Sequence, residues 1–289
     1  MAGQVPNVRY HETSTMIYIE RKPARPLRRF VRSLWYARSP VPQYRHERIL
    51  PSGCAHIVVS LCHDFLTNCT VAGVEQRTAP ALMVGQRSIY EIIATEDLVD
   101  LAGAVFEPGA VPACVVDRAD LISNQNLPLD QIWPECTDYL RGRMLEASSP
   151  EERLHILEDC LTSHLVTRSS PRGWDPHPAV KFALEQFDRE TGQCSITEIA
   201  RRSGWSERRF SQVFREQIGF PPKVWCRLRR FQRAVQQLHA GVNVPWAQLA
   251  IDCGFYDQAH FANEFRAFSG FDLTTYTAMP RRATNTYRD

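Results

Sequence analysis

The chain of 289 residues has no run of about 18 apolar residues, so no segment has the length needed to cross a bilayer as a helix. Met1 to Tyr10 is polar and lacks the apolar core of a secretion signal, so a cytoplasmic protein without membrane attachment is expected. There is no C-x-x-C pair among its nine cysteines, an odd number. In a reducing compartment they are expected as free thiols, several of them buried. There is no G-x-S-x-G, no phosphate-binding glycine loop and no H-E-x-x-H, so no catalytic residue is assigned, no cofactor is implied and an enzyme is not expected. Strong net charge is also missing. The total is +2, but residues 175 to 289 carry 16 Lys/Arg and 12 Asp/Glu, or +4, against 18 and 20, or −2, before them. A basic half beside a slightly acidic one suits a nucleic-acid-binding module joined to a different partner domain.

The basic half contains one unit written twice. Ala200, Gly204, Phe210, Phe214, Gly219 and Trp225 return as Ala250, Gly254, Phe261, Phe265, Gly270 and Tyr276, offset by 50 residues up to the first glycine and 51 after it. Two helices about a glycine turn, repeated, predict a pair of helix-turn-helix motifs. Ser195 and Glu198 make a capping box that starts a helix at Ile196. Ser206 caps a second helix whose apolar face is Phe210, Val213, Phe214 and Ile218. Ser206, Glu207, Arg208, Arg209, Ser211, Gln212 and Arg215 are left outside, with side chains that can meet base edges and phosphates. In the second copy Asp257 caps the helix that buries Phe261, Phe265 and Phe268, and Asp257, Gln258, His260 and Asn263 face outward. Pro222 to about His239 joins the copies as a helix of about 17 residues, about 26 Å long. Such a rod could set two recognition helices in neighbouring major-groove segments.

Gly204-Trp205-Ser206-x-Arg208-x-Phe210-x-x-x-Phe214 and Gly219-x-x-Pro222-x-x-Trp225 resemble the first half of an AraC/XylS-type DNA-binding domain. Gly254-Phe255-x-Asp257-Gln258-x-x-Phe261-x-x-x-Phe265, with Gly270 and Tyr276, resembles the second half, except that Leu273 stands where that family usually has proline. The resemblance covers about 110 residues from His177 and implies a transcription regulator that binds duplex promoter DNA and works with RNA polymerase.

The first half reads as short strands, Cys54 to Cys62, Leu66 to Val71, Leu82 to Val84, Tyr90 to Ala94 and Leu98 to Phe106, separated by turn residues. Leu27, Phe30, Val31 and Leu34 have helical spacing, which predicts a short helix running into a strand at Trp35. A small β-barrel or sandwich is expected. Leu50-Pro51-x-Gly53-Cys54, Gly85-Gln86 and Phe106-x-Pro108-Gly109-Ala110 are similar to the cupin-like N-terminal domains of some members of the same family. The expected architecture is α+β: a β-rich sensor domain over residues 1–126, a helical segment over 127–166, a linker over 167–177 and the all-α DNA-binding domain over 178–289. Leu154, Leu157, Leu161 and Leu165 form a stripe that either packs on the barrel or pairs two subunits in a homodimer.

A barrel interior can hold a small-molecule effector. Trp35, His56, Arg87, Tyr90 and Glu107 are the candidate pocket groups, with Arg87 suited to a carboxylate. Cys54, His56, Cys62 and His63 are badly spaced for a compact zinc site, because His63 faces away from the other three on a strand, and no metal is expected. The alternative form of control is a cysteine that senses alkylating agents or oxidants, with Cys54, Cys62, Cys69 and Cys114 as candidates.

Overall fold

The computed structural model describes residues 8–13, 16–40, 45–69, 74–115, 117–168, 175–189, 195–241, 244–279 and 286–288. The N-terminal part is two antiparallel sheets facing each other as a flattened barrel. Strands β1 (Val8–Thr13), β2 (Met16–Arg21), β3 (Val31–Arg38), β4 (His46–Ile49), β5 (His56–Ser60), β6 (Thr67–Cys69), β7 (Glu75–Arg77), β8 (Ala81–Val84), β9 (Glu91–Ala94), β10 (Asp100–Phe106) and β11 (Asn126–Pro128) occur in chain order. The larger sheet runs β1-β2-β3-β10-β5-β8-β11. The smaller runs β4-β9-β6-β7, and strand β12 (Thr286–Arg288), in the segment expected to be all-α, adds to its edge beside β4 because its backbone groups find partners on that free edge.

The helical spacing at Leu27 to Leu34 yields only one turn, Leu27–Arg29, before the strand begins at Val31. Pairing of β3 with β10 from Val31 to Arg38 and with β2 from Leu34 to Arg38 outweighs that local spacing, since most backbone groups of the strand then find a partner. The hairpin β1–β2 lies where the sequence shows no clear period. Of the expected strand at Leu66 to Val71, residues 70 and 71 lie outside the described residues.

Helices α1 (Val111–Cys114), α2 (Leu129–Ile132), α3 (Thr137–Glu146) and α4 (Pro150–Arg168) cover one side of the larger sheet. The break between α2 and α3 falls at Pro134, as its ring requires. Leu154, Leu157 and Leu161 of α4 are fully buried in one cluster with Trp133, Leu140, Met144 and the sheet residues Leu34 and Phe106. These three leucines therefore bind their own chain, and a second subunit would have to use another face. The side chain of Leu165 is outside the described residues. Arg153 ties the same helix to the sheet, donating to the Tyr36 hydroxyl at 2.9 Å and pairing with Asp100 at 3.2 Å.

The linker expected over 167–177 falls partly on residues 169–174, outside the described residues. The helical part continues as α5 (Pro178–Arg189), α6 (Ile196–Arg202), α7 (Glu207–Ile218), α8 (Pro222–His239), α9 (Trp246–Asp252), α10 (Gln258–Ser269) and α11 (Leu273–Ala278). One aromatic core joins both copies: Phe210, Phe214, Phe261 and Phe265 are fully buried, and Phe231 of α8 contacts Phe265 and Phe268. Leu273 takes the first position of α11, where proline is favoured for its fixed φ. Asp272 caps that helix by accepting from Thr275 N at 2.8 Å, so the turn forms without proline.

Candidate DNA interface and candidate effector cavity

Each recognition helix is set by its cap. Ser206 Oγ accepts from Arg209 N at 3.3 Å, and Asp257 Oδ1 accepts from His260 N at 2.7 Å. The side chains of Ser206 and Asp257 thus serve first to start α7 and α10. Ser195 caps α6 in the same way, while Glu198 turns forward onto Arg201 at 2.7 Å rather than closing the capping box. Glu207, Arg208, Arg209, Gln212 and Arg215 on α7 and Gln258 and Asn263 on α10 are exposed; Ser211 and His260 are half-buried. Glu207 accepts from the Thr197 hydroxyl at 2.7 Å, and Gln212 donates to Glu216 at 3.0 Å. Beside Asp257, the structure adds Tyr256, which is 89% exposed at the start of α10, and the exposed Ile251 on α9.

The ten basic side chains between 201 and 233 are not equivalent. Arg227 makes a two-bond pair with Glu264 of α10 at 2.6 and 2.8 Å, and Glu264 holds that guanidinium's pKa above its ordinary value. Arg229 pairs with Asp188 of α5 at 2.7 Å. Burial lowers the pKa of Arg230, which lies over the Phe255 ring. The joining helix α8 therefore spends much of its charge holding helices together. Arg202, Arg208, Arg209 and Lys223 are exposed on and around the first copy, with Arg202 stacked on Phe182 and Arg209 on Trp205.

Both recognition helices dock their C-terminal ends on the β domain, at matching glycines. Gly219 ends α7 with φ +97 and Gly270 ends α10 with φ +74. The turn after β8 reaches both. A Cβ on Gly219 would fall on the Gln86 amide, and one on Gly270 would run into Arg48 and Tyr90. Ser123 donates to Gly219 O at 2.8 Å and receives from Gln86 at 2.9 Å, while Tyr90 N donates to Phe268 O at 3.1 Å. Asp120 pairs with Arg215 at 3.2 Å and with Arg118 at 2.8 Å; the hydrogen bonds from Arg118 hold its carboxyl below the ordinary range. Arg215, an expected DNA contact, is thus engaged by the β domain. The Leu50 to Gly53 turn packs on α8, with Leu50 inside the helical core and Gln232 donating to Pro51 O at 3.1 Å.

Between the two sheets lies a cavity of about 480 Å³. Of the five candidate pocket groups, Trp35, His56 and Arg87 line it. Tyr90 and Glu107 do not. Tyr90 immediately precedes β9, in which Glu91 and Ile93 line the cavity, and packs against Gly270 and Arg48. Glu107 lies past the end of β10 and pairs with Arg32 at 3.0 Å. Arg87 is committed to Glu91 at 2.6 Å, to Asn126 at 2.5 Å and to Asn124 O at 2.8 Å. Burial pushes the His56 pKa down to about 4, so the ring is neutral at neutral pH; its Nε2 lies 2.9 Å from the Ser52 hydroxyl. Sequence reasoning missed Glu47, Thr67, Glu91 and Asp97, which also line the cavity. Strand alternation places such residues inside only once the register is known.

Burial raises the thiol pKa of Cys54, and Cys69 is buried; Cys62 is exposed, and the Cys114 side chain is outside the described residues. Cys136 and Cys160, absent from the sequence-based thiol candidates, bring their sulfurs to 3.3 Å, with burial pushing Cys160 up to about 12. The ligand atoms of His46, Cys69 and Glu75 lie within 4.8 Å of one another, but Arg45 also meets the Glu75 carboxylate at 3.4 Å. No helix among the described residues is long and apolar enough to cross a membrane.

Residues 190–279 match the family model described as "Helix-turn-helix domain". Residues 19–128 match another described as "Domain of unknown function (DUF6597)". The HTH-type transcriptional activator AarP of Providencia stuartii is 30% identical over 86 residues, which cover 30% of this chain and 63% of AarP. The match therefore spans less than two thirds of that relative's length. Among solved structures the chain is similar to ToxT from Vibrio cholerae, at 11% identity and a TM-score of 0.47, covering 82% of this chain and 95% of that one. It is also similar to the DNA-binding domain of AdpA, solved in complex with a target DNA, at 24% identity and a TM-score of 0.33, covering 36% and 92%.

Proposed function

Because residues 190–279 form an AraC-type helix-turn-helix domain, we propose that the protein regulates transcription by binding duplex DNA sequence-specifically, under control of a small molecule held in the β-domain cavity. The observation that carries the reading is the pair of capped recognition helices with exposed polar faces, Arg208 and Gln212 on one and Gln258 and Asn263 on the other. Arginine reads guanine and glutamine or asparagine reads adenine, through paired hydrogen bonds in the major groove. On this reading residues 1–126 hold the effector, 127–166 brace the barrel, 167–177 link, and 178–289 bind DNA. The protein acts in the cytoplasm beside RNA polymerase, and pairing of two copies would raise the effective concentration of the second DNA-binding unit.

The turn from Gln86 to Tyr90 supplies a route for control. Its Arg87 faces the cavity while Gln86 and Tyr90 hold the ends of the two recognition helices. A ligand that shifts Arg87 would act on both helices at once, provided it binds the docked and undocked states unequally. Selection from a random duplex pool with the full chain tests the reading. An enriched motif is expected, with binding that weakens steeply as salt rises; a pool with no enriched motif contradicts it. A second reading, control through thiol oxidation, is favoured by the Cys136–Cys160 contact. Intact-mass measurement after peroxide treatment separates the two, since only the second predicts a linked pair that alters DNA binding.

A further inference from the structure

The cavity carries two buried polar atoms that the protein itself does not satisfy. Asp97, 2% exposed, uses Oδ2 to accept from Thr67 N, but its Oδ1 has no hydrogen-bond partner among the described residues. Thr67, 4% exposed, turns its hydroxyl toward the same carboxyl, and its Oγ1 receives no hydrogen bond among the described residues. Both residues line the cavity. A buried carboxylate oxygen left without a donor costs several times what an ordinary hydrogen bond contributes, so such a pair marks a place where a ligand completes the site.

Acidic side chains outnumber basic ones around it. Three carboxylates line the cavity, Glu47, Glu91 and Asp97, against one guanidinium, Arg87, which is already engaged by Glu91 and Asn126. The neutral His56 adds no positive charge. A carboxylate ligand would meet like charge and leave Asp97 Oδ1 facing an acceptor. An N–H donor bearing positive charge meets both needs. The walls beside Asp97 are apolar: Leu66, Leu82 and Leu101 form a small cluster with Trp35, Val58 and Leu98 packed on it.

We propose that the cavity takes a hydrophobic amine, its ammonium group donating to Asp97 Oδ1 and Thr67 Oγ1 and its apolar body lying along Trp35, Leu82 and Leu101. The proposal rests on the reading of this cavity as the effector site, and it replaces the carboxylate that Arg87 alone suggests. It names the head group by the acceptors that await it and the body by the walls.

The test uses the full chain and three probes with one apolar body, 4-phenylbutylamine, 4-phenylbutanol and 4-phenylbutanoate, followed by calorimetry and by quenching of tryptophan fluorescence. The amine should bind at least tenfold more tightly than the alcohol, and the acid should be weakest. Asp97→Asn should erase the preference of amine over alcohol. Thr67→Val, nearly isosteric, should reduce the same preference if the aspartate variant folds poorly. Tight binding of the acid, or an unchanged preference in both variants, would overturn the amine while leaving the cavity as the effector site. Failure of all three probes to bind would overturn the amine and the effector cavity together, and the DNA selection would stand or fall separately.

Discussion

The first and second helix-turn-helix copies share one backbone plan and differ in almost everything presented to solvent. Residues 201 to 233 hold ten basic and two acidic side chains, while residues 244 to 276 hold Arg266 against Asp252, Asp257, Glu264 and Asp272. Packing is alike: each copy buries two fully enclosed phenylalanines on its recognition helix and ends that helix at a left-handed glycine docked on the β domain. Fold and surface charge are thus assigned to separate sets of residues. On the proposed reading a duplex attracts the first copy and repels the second by charge, which would leave the second to work through Gln258, His260, Asn263 and the exposed Tyr256, at strong sites. The structure also narrows the first copy's advantage, because Arg227 and Arg229 are spent on Glu264 and Asp188. On the same reading Arg208 reads a base, and the phosphate contacts fall to the exposed Arg202, Arg209 and Lys223.

The largest expected effects test the likeness. Phe214→Ala and Phe265→Ala should each cost about 3–5 kcal/mol of stability by chemical denaturation, since both rings are fully enclosed. A much smaller loss at Phe265 would show that the second copy is loosely packed and break the comparison at its base. Next come the DNA contacts. Arg208→Ala should weaken binding to the selected site by about 1–3 kcal/mol and relax one base position, and Asn263→Ala should cost less. Anisotropy titrations of both variants decide it, and a larger loss at Asn263 would invert the asymmetry. The caps follow. Ser206→Ala and Asp257→Ala should each cost about 1 kcal/mol in thermal melts, because each cap satisfies a backbone N–H that would otherwise lack a partner.

The smallest effect concerns docking. Asp120→Ala releases Arg215 and should tighten DNA binding by the first copy by about 0.5–1 kcal/mol, the worth of a half-exposed ion pair. The carboxyl of Asp120 is held below its ordinary value of 3.8, so its contribution is complete above that pH and is lost only as pH falls through the lower folded value. The effect of Asp120→Ala on DNA affinity should therefore be the same at pH 6 and pH 8. A difference between them would place the control elsewhere.

The helix-turn-helix part was legible because its signals are local. Ser195, Ser206 and Asp257 announce helix starts within three residues, and Gly219 and Gly270 announce the ends. The count of basic residues along 201 to 233 could not show that Glu264, Asp188 and Asp120 approach from distant segments. The leucine stripe on α4 told that something covers it; only the fold says that its own barrel does. The cavity was half legible. Trp35 and His56 stand out as an aromatic and a polar group in the β-rich region, but the side of Tyr90, the commitment of Arg87 to Asn126 and the two unmatched atoms at Asp97 and Thr67 depend on pairings between strands remote in sequence. At Leu27 to Leu34 the local spacing points to a helix, and sheet pairing prevails from Val31 onward.

The most direct test of the account is the salt dependence of binding to one selected duplex by the full chain, by Arg208→Ala/Arg209→Ala and by Gln258→Ala/Asn263→Ala. Each lost phosphate contact flattens the slope of log affinity against log salt by about 0.9. The first double variant should flatten that slope by about 1–2, and the second should weaken binding with the slope unchanged. Equal flattening by both, or flattening by the second alone, would contradict the assignment of phosphate affinity to the first copy.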